Sequence, residues 1–542
     1  MQKIYVSLFL FFLSFQLQAQ DTTLLTPATD TVSIIDLLHS DRLRSQKIDS
    51  ATELLMVAGH VRLKQDNTLF FCDSAVINRN GKIMEAFGNI HINDSDSVHT
   101  YAQYLIYHMD TKIATLKKKV RMTDGKGVLT TEELEYDTQY KIGTYKNGGK
   151  VVDGKTVLTS KEATYYADLK DAYFKKDVKL RDPQYNLDTD SLLYNTSAGL
   201  ATFITKTYIK DSSGRTIETS EGYYDMRNKI ARFGKRPVIK DNKGVYVTGD
   251  EINSDDATGQ TVIRGNAVYK DSAQNISVIA NEMYSNSKTN TFLATRNPLM
   301  IIKQNEDSIY ITADTLYSAR IADLKDSAYT ELVRDTIKNV TVVNTKDTAD
   351  IRFFQGFHHV RIFSDSLQAV CDSMFYSAKD SVFRLFTNPI VWATGNQVTG
   401  DTIYLFTKNQ KADRLFVNEN AIAINKSGEK MFNQIAGRTL NGYFKDGNID
   451  YFRAKGSPAQ SVYYIKDEDD ALVGVNSATA DIIDMTFADK ELQKVIFRSE
   501  VTGTMYPVQQ LPEDKKQLRN FNWQETKRPK TKYELFENPV NQ

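Results

Sequence analysis

The stretch Asp171-Ala172-Tyr173-Phe174-Lys175-Lys176-Asp177-Val178-Lys179-Leu180-Arg181 decides the fold. Ala172, Phe174, Val178 and Leu180 share one parity, and residues of one parity lie on one face of a strand. The intervening Lys175, Lys179 and Arg181 make the other face charged, as a solvated outer surface requires. The same spacing returns at Ala114, Leu116, Val120 and Met122, at Ala201, Phe203, Thr207 and Ile209, and at Ala231, Phe233, Pro237 and Ile239. Ala86, Gly88, Ile90 and Ile92 read as an early copy, and Val495, Phe497, Val501 and Gly503 as a late one.

Between these copies runs a second strand that opens on an acid and carries Tyr or an aliphatic residue, as in Glu133-Leu134-Glu135-Tyr136-Asp137, Glu221-Gly222-Tyr223-Tyr224-Asp225 and Asp372-Ser373-Met374-Phe375-Tyr376. Turns such as Asn80-Gly81, Asp124-Gly125 and Asp446-Gly447 separate the strands. The unit repeats at roughly thirty-residue spacing, and one such unit cannot bury its apolar face until others stack on it. The expected fold is all-β: an elongated, repeat-built antiparallel β-jelly roll with open edge strands. Helix signals are nearly absent. Only residues 33–45 and the charged tail after Leu511 could hold short helices, and their composition suits linker or disorder better.

Lys3, the apolar run Ile4 to Phe15 and the exit Gln18-Ala19-Gln20 read as a cleavable secretory signal. No cysteine stands at the cleavage region to take a lipid anchor, no later run is long enough for a membrane helix, and the final residues do not alternate like a barrel-closing strand. An exported, soluble, periplasmic chain is expected. Residues 1–20 are then the signal, 21–50 a linker and 51–320 a first repeat stack. Residues 321–350 form an excursion or junction, 351–507 a second stack and 508–542 a polar tail. Lys plus Arg and Asp plus Glu both number 68, so no net field draws in nucleic acid.

Cys72 and Cys371 occupy the same motif, Cys-Asp-Ser, in units far apart, which predicts two free buried thiols and no disulfide. The acids at strand starts, Asp73, Asp190, Asp250, Asp314, Asp372 and Asp401, lack the density of a calcium loop and suit strand-end capping. His358-His359 is an adjacent pair whose members face opposite ways on a strand, a poor shared ligand set. No metal, cofactor or catalytic residue is assigned, and no catalytic motif appears.

Phe87-Gly88-Asn89-Ile90-His91-Ile92 and Arg264-Gly265-Asn266-Ala267-Val268 resemble the Gly-Asn-φ strands of the OstA/LptA family, and the acid-to-Tyr-Asp strands resemble its partner strands. Val57-Ala58-Gly59-His60-Val61-Arg62-Leu63 has the same shape, with His60 where the family often has Asn. The resemblance runs from about Leu54 to Tyr506. It implies an open-edged β-jelly roll, the β-taco, that passes lipopolysaccharide toward the outer membrane through an apolar groove between its sheets. The chain departs from short members by its length and from outer-membrane members by lacking a barrel.

On that reading the groove candidates are Leu116, Val120, Phe174, Val178, Leu180, Phe203, Ile209, Phe233 and Ile239. The expected partners are lipopolysaccharide or a related glycolipid and other envelope transport proteins, reached by edge-strand addition, with head-to-tail self-association through the same edges. The competing reading is a structural or adhesive β-solenoid with a closed interior that binds protein or polysaccharide on its outer face. An envelope hydrolase has no supporting motif.

Overall fold

A computed structural model describes residues 35–49, 52–95, 97–303, 308–324, 351–377, 379–408, 411–445, 448–467, 469, 471–488 and 491–537. The proposed signal and the Asp446-Gly447 turn lie outside these residues, as does most of the 321–350 segment. Among the described residues there are forty strands and otherwise only short 3-10 turns, so the all-β reading holds. Every strand pairing given for these residues is antiparallel, as in Glu53–Gln65 with Thr68–Asn78 and Asp171–Arg181 with Tyr185–Asn195. The chain divides into two compact units, Met1–Gly125 with Thr130–Thr144, and Lys126–Leu129 with Tyr145–Gln542.

The repeat is a bent strand. Within Asp171–Arg181 the pairing register jumps between Lys175 and Val178, and the skipped Lys176 and Asp177 both have positive φ. The same device sits at Gly59-His60, Gly88-Asn89, Gly265-Asn266, His358-His359 and Glu419-Asn420. Two consecutive left-handed residues turn the strand through a corner, and because two residues are consumed, the inward parity is the same on both arms. That is why Ala172, Phe174, Val178 and Leu180 are all buried across the bend. The two arms supply two sheets that face each other.

The strand-start acids hold these corners. Asn89 Nδ2 donates to Asp73 Oδ2 at 3.0 Å, Asn266 to Asp250 at 3.1 Å and Asn420 to Asp401 at 3.0 Å. The backbone N–H of Asp250 in turn donates to Gly265 O at 2.8 Å. A Cβ on Gly265 would lie 2.3 Å from Asp250 Oδ2, so glycine is required where the carboxylate folds over the corner. His359 lies 2.9 Å from Asp314 and His358 3.1 Å from Asp372, so the histidine pair serves two neighbouring corners. Cys72 and Cys371 are buried, unbridged, and each stands one residue before a corner acid. Burial pushes both thiols up to about 12.

Several details go beyond the sequence reading. Part of the 21–50 linker is strand: Asp36–His39 and Arg42–Lys47 both pair with Glu53–Gln65, covering its free edge. Across the 321–350 break, Thr315–Arg320 pairs directly with Arg352–Phe363 in the register Arg320↔Arg352, so the ladder continues on the far side of it. The late repeat copy keeps the corner, with positive φ at Ser499 and Glu500, but its face is not covered: Val495 and Phe497 are half-buried and Val501 is 54% exposed. Its strands are the last of the ladder, and no following rung covers them.

The polar tail is docked. Gln434 Nε2 donates to Lys516 O at 2.8 Å while its Oε1 accepts from Leu518 N–H at 2.8 Å. Gln397 repeats the pattern with Asn522 O at 2.6 Å and Gln524 N–H at 2.7 Å. A carbonyl at one residue and an N–H two residues on are the groups a neighbouring strand would read, so each side-chain amide substitutes for a ladder peptide. Arg528 donates to Gln368, Arg361 to Glu534 O, Phe432 packs on Phe521 and Trp523, and Leu511 packs against Val462, Tyr464 and Val475. Residues 511–537 thus form a strap along one sheet.

Candidate functional site

In the second unit the inward face of one sheet carries an unbroken row of cross-strand partners, Leu187, Ile209, Ile217, Ile239, Val247 and Tyr269. The facing sheet answers with Leu192, Phe203, Gly222, Phe233, Ile252 and Ile263. Gly222 separates Phe203 from Phe233, and their rings stack above it at 6.1 Å and 11°. A Cβ at Gly222 would lie 2.0 Å from Arg232 O, so no larger residue fits between the two rings. Nearer the mouth the second sheet has small residues, Ala201, Ala231, Ser254, Thr261 and Ser285, broken only by Tyr224.

Large aliphatics opposite small residues leave space. The result is a cavity of about 490 Å³, lined by Leu187, Phe203, Ile209, Ile217, Phe233, Ile239, Val247 and Ile263 with Gln184, Tyr185, Asp211, Arg215, Tyr224, Asp241 and Asp256 among the polar groups. Its volume falls within the range of small-molecule sites. Tyr185 and Tyr224 meet edge to face at 4.8 Å, and Tyr269 and Phe292 meet with tilted rings at 5.3 Å. Burial, reinforced by Asp256 and Asp182, pushes the Tyr224 phenol up to about 12. Burial, with Asp271, does the same to Tyr269. Both stay neutral donors across the physiological range.

Elsewhere the mouth is latched. In the first unit Tyr107 donates to Gln65 at 2.6 Å and Tyr136 to Asp94 at 2.7 Å, each bond joining opposite arms, and the four residues are buried. In the second unit Tyr194 donates to Asp153 at 3.0 Å just before the cavity begins. A further cavity of about 630 Å³ lies among residues 396–495, but its lining includes Asn396, Asn425, Asn433, Lys426, Lys466, Asp467 and Lys494, a surface for water.

Of the nine groove candidates, Phe203, Ile209, Phe233 and Ile239 line the apolar cavity. Leu116 and Val120 in the first unit and Phe174, Val178 and Leu180 in the second are buried but stand outside its lining. The small-residue row and the tyrosines of the mouth escaped the sequence reading. Alanine leads each copy of the repeat, yet the width it leaves depends on what the facing sheet presents. Among the described residues no group of three or more His, Cys, Asp or Glu side chains could hold a metal ion, and no helix is long and apolar enough to cross a membrane.

Residues 32–190 match a family described as OstA-like protein. No curated protein matches the chain. The apolar cavity lies almost wholly beyond the matched segment, and the corner of paired positive-φ residues recurs among its rungs at Lys235-Arg236 and Gly265-Asn266.

Proposed function

We propose that this chain, OstA-like over residues 32–190, is a non-catalytic periplasmic carrier that shelters the acyl part of lipopolysaccharide or a related glycolipid between its sheets and helps move it to the outer membrane. The observation that carries this reading is the 490 Å³ cavity walled by aliphatic and aromatic side chains. Each methylene that leaves water for such a wall gains about 0.8 kcal/mol, so an acyl chain is held without any specific chemistry. A closed structural solenoid would have filled this space.

The ends of the ladder suit transfer between proteins. The strand Thr502–Tyr506 pairs with Leu472–Ala488, and Met505 within it and Val501 just before it are exposed, so a neighbouring envelope protein or a second copy can add a strand there. Association with the outer membrane then runs through partners.

A photoreactive amino acid at Phe203 or Phe233 tests the reading. It captures glycolipid in cells, whereas the same group at the outward Lys210 or Lys240 does not. Equal capture from both faces would sink the proposal. For the edge, Thr504→Pro abolishes association while leaving the middle of the ladder folded; association that survives would rule out strand addition at this end.

A further inference from the structure

The apolar cavity is bounded, and its bounds count acyl chains. Along one sheet it runs from Leu187 to Tyr269, five inter-strand steps, or about 24 Å at the usual strand spacing. At one end Tyr194 bonds across the mouth to Asp153, and at the other Tyr269 and Phe292 meet from opposite sheets. Beyond Phe292, Arg352 is drawn in and donates to Asn290 O and Ser318 O, placing a half-buried cation next to the barrier. The volume between, about 490 Å³, divided by roughly 30 Å³ per methylene, close to the share of one water in the liquid, gives about 16 methylenes. The length exceeds one leaflet of a bilayer, about 15 Å, so a single chain can lie extended in it.

One group at the mouth is left wanting. Tyr185 lines the cavity, and its hydroxyl is buried without a hydrogen-bond partner among the described residues. Burial, with Asp182 and Tyr224 adding to it, raises this phenol strongly, so it remains a donor. A buried donor with nothing to donate to is rare in folded proteins and marks a place where an acceptor belongs. Arg215, ion-paired with Asp211 at 2.8 Å, stands at the same rim.

Resting on the carrier reading above, we propose that the 184–292 chamber takes one linear acyl chain of about sixteen carbons at a time, its polar end accepting a hydrogen bond from Tyr185 at the rim. A glycolipid with several chains is then held by one of them, the others remaining outside this chamber. Transport proceeds by handing over single chains between bounded sites.

The test uses the delipidated full chain and saturated fatty acids of about ten to about twenty-two carbons, with bound chains counted by native mass spectrometry and affinity measured by displacement of a fluorescent fatty acid. Affinity rises about four-fold per methylene up to roughly sixteen carbons and then levels off, with one chain bound per protein. Ala231→Phe, which fills the small-residue side, moves the plateau to shorter chains. Tyr185→Phe weakens the fatty acid by about five- to ten-fold and leaves an alkane of equal length unaffected. Affinity that keeps climbing past twenty carbons, or several chains per protein, would overturn the bounded chamber and leave the carrier reading standing. If no chain of any length binds, the carrier reading itself fails. The length series needs no variant, so a misfolded Ala231→Phe protein does not blunt it.

Discussion

One row of cross-strand partners on the outer face of a single sheet changes character along its course. Over the chamber it reads Asn186, Lys210, Thr216, Lys240, Tyr246 and Lys270; further on it reads Phe363, Gln368, Trp392, Gln397, Ile424, Gln434 and Val462. The first stretch meets water, and Tyr208 in the adjoining outward row is 50% exposed. The second is covered: Trp392, between two glutamines bonded to the strap, is 1% exposed. A sheet buried on both faces is a three-layer structure, and the strap supplies the third layer. The chamber rungs keep two layers and an apolar interior cavity, so room for an apolar ligand and extra stabilisation occur in different parts of the same ladder.

Removing residues 511–537 breaks that contrast most severely. Leu511, Phe521, Trp523 and Leu535 leave their contacts, a loss of roughly 6 kcal/mol at about 1.5 kcal/mol each, and the outer row from Phe363 to Val462 becomes an apolar patch. Hydrogen exchange accelerates over residues 360–480, a hydrophobic dye binds, and the 187–263 rungs keep their protection. Equal loosening of both stretches would show that the strap acts globally.

Next in size are paired truncations. Trp392→Ala empties a sealed site and costs about 3–5 kcal/mol, whereas Phe203→Ala, beside space that already exists, costs about 2 kcal/mol. Thermal unfolding of the two variants ranks them; the reverse order would mean that the chamber is closed in solution. Gln397→Leu leaves the Asn522 carbonyl and Gln524 N–H without their partner and weakens strap docking by about 1–3 kcal/mol, seen as faster exchange in residues 518–528 alone.

Acid provides a further separation. Asp484 is buried, which by itself would raise its carboxyl, but bonds from Arg453, Tyr451 and Arg498 outweigh burial and hold it below the ordinary range. A carboxyl lowered by folding stabilises above its unfolded value, about 3.9, and that stabilisation is lost as pH falls through the folded value. The last rungs therefore loosen first below about pH 4, and Asp484→Asn removes this acid step. The smallest effect belongs to Lys240→Ala on the solvated row, within about 0.5 kcal/mol of the parent.

Much of the fold is legible in residues such as Ala172, Phe174, Val178 and Leu180, because side-chain parity is a local property that the corner preserves. The corner itself hid in plain letters: Gly-Asn reads as part of a continuous strand, and the acid that braces it lies on a neighbouring strand, outside any short window. The strap escaped because its own residues are charged and its few anchors are scattered. A signal for it existed in the strands beneath, since Ile390-Val391-Trp392-Ala393 and Ala421-Ile422-Ala423-Ile424 are continuous apolar runs, unlike the alternation around Phe174. Of the candidate site, Phe203, Ile209, Phe233 and Ile239 could be named, but not the cavity, because its width comes from pairing across sheets.

Both tryptophans of the chain, Trp392 and Trp523, belong to the strap and the sheet beneath it. Intrinsic indole emission therefore reports on one interface: a red shift and easier quenching follow unseating of the carboxyl-terminal residues. Filling of the chamber is silent in indole emission, since the aromatic residues of its lining are Tyr185, Tyr224 and Tyr269 with Phe203, Phe233 and Phe292.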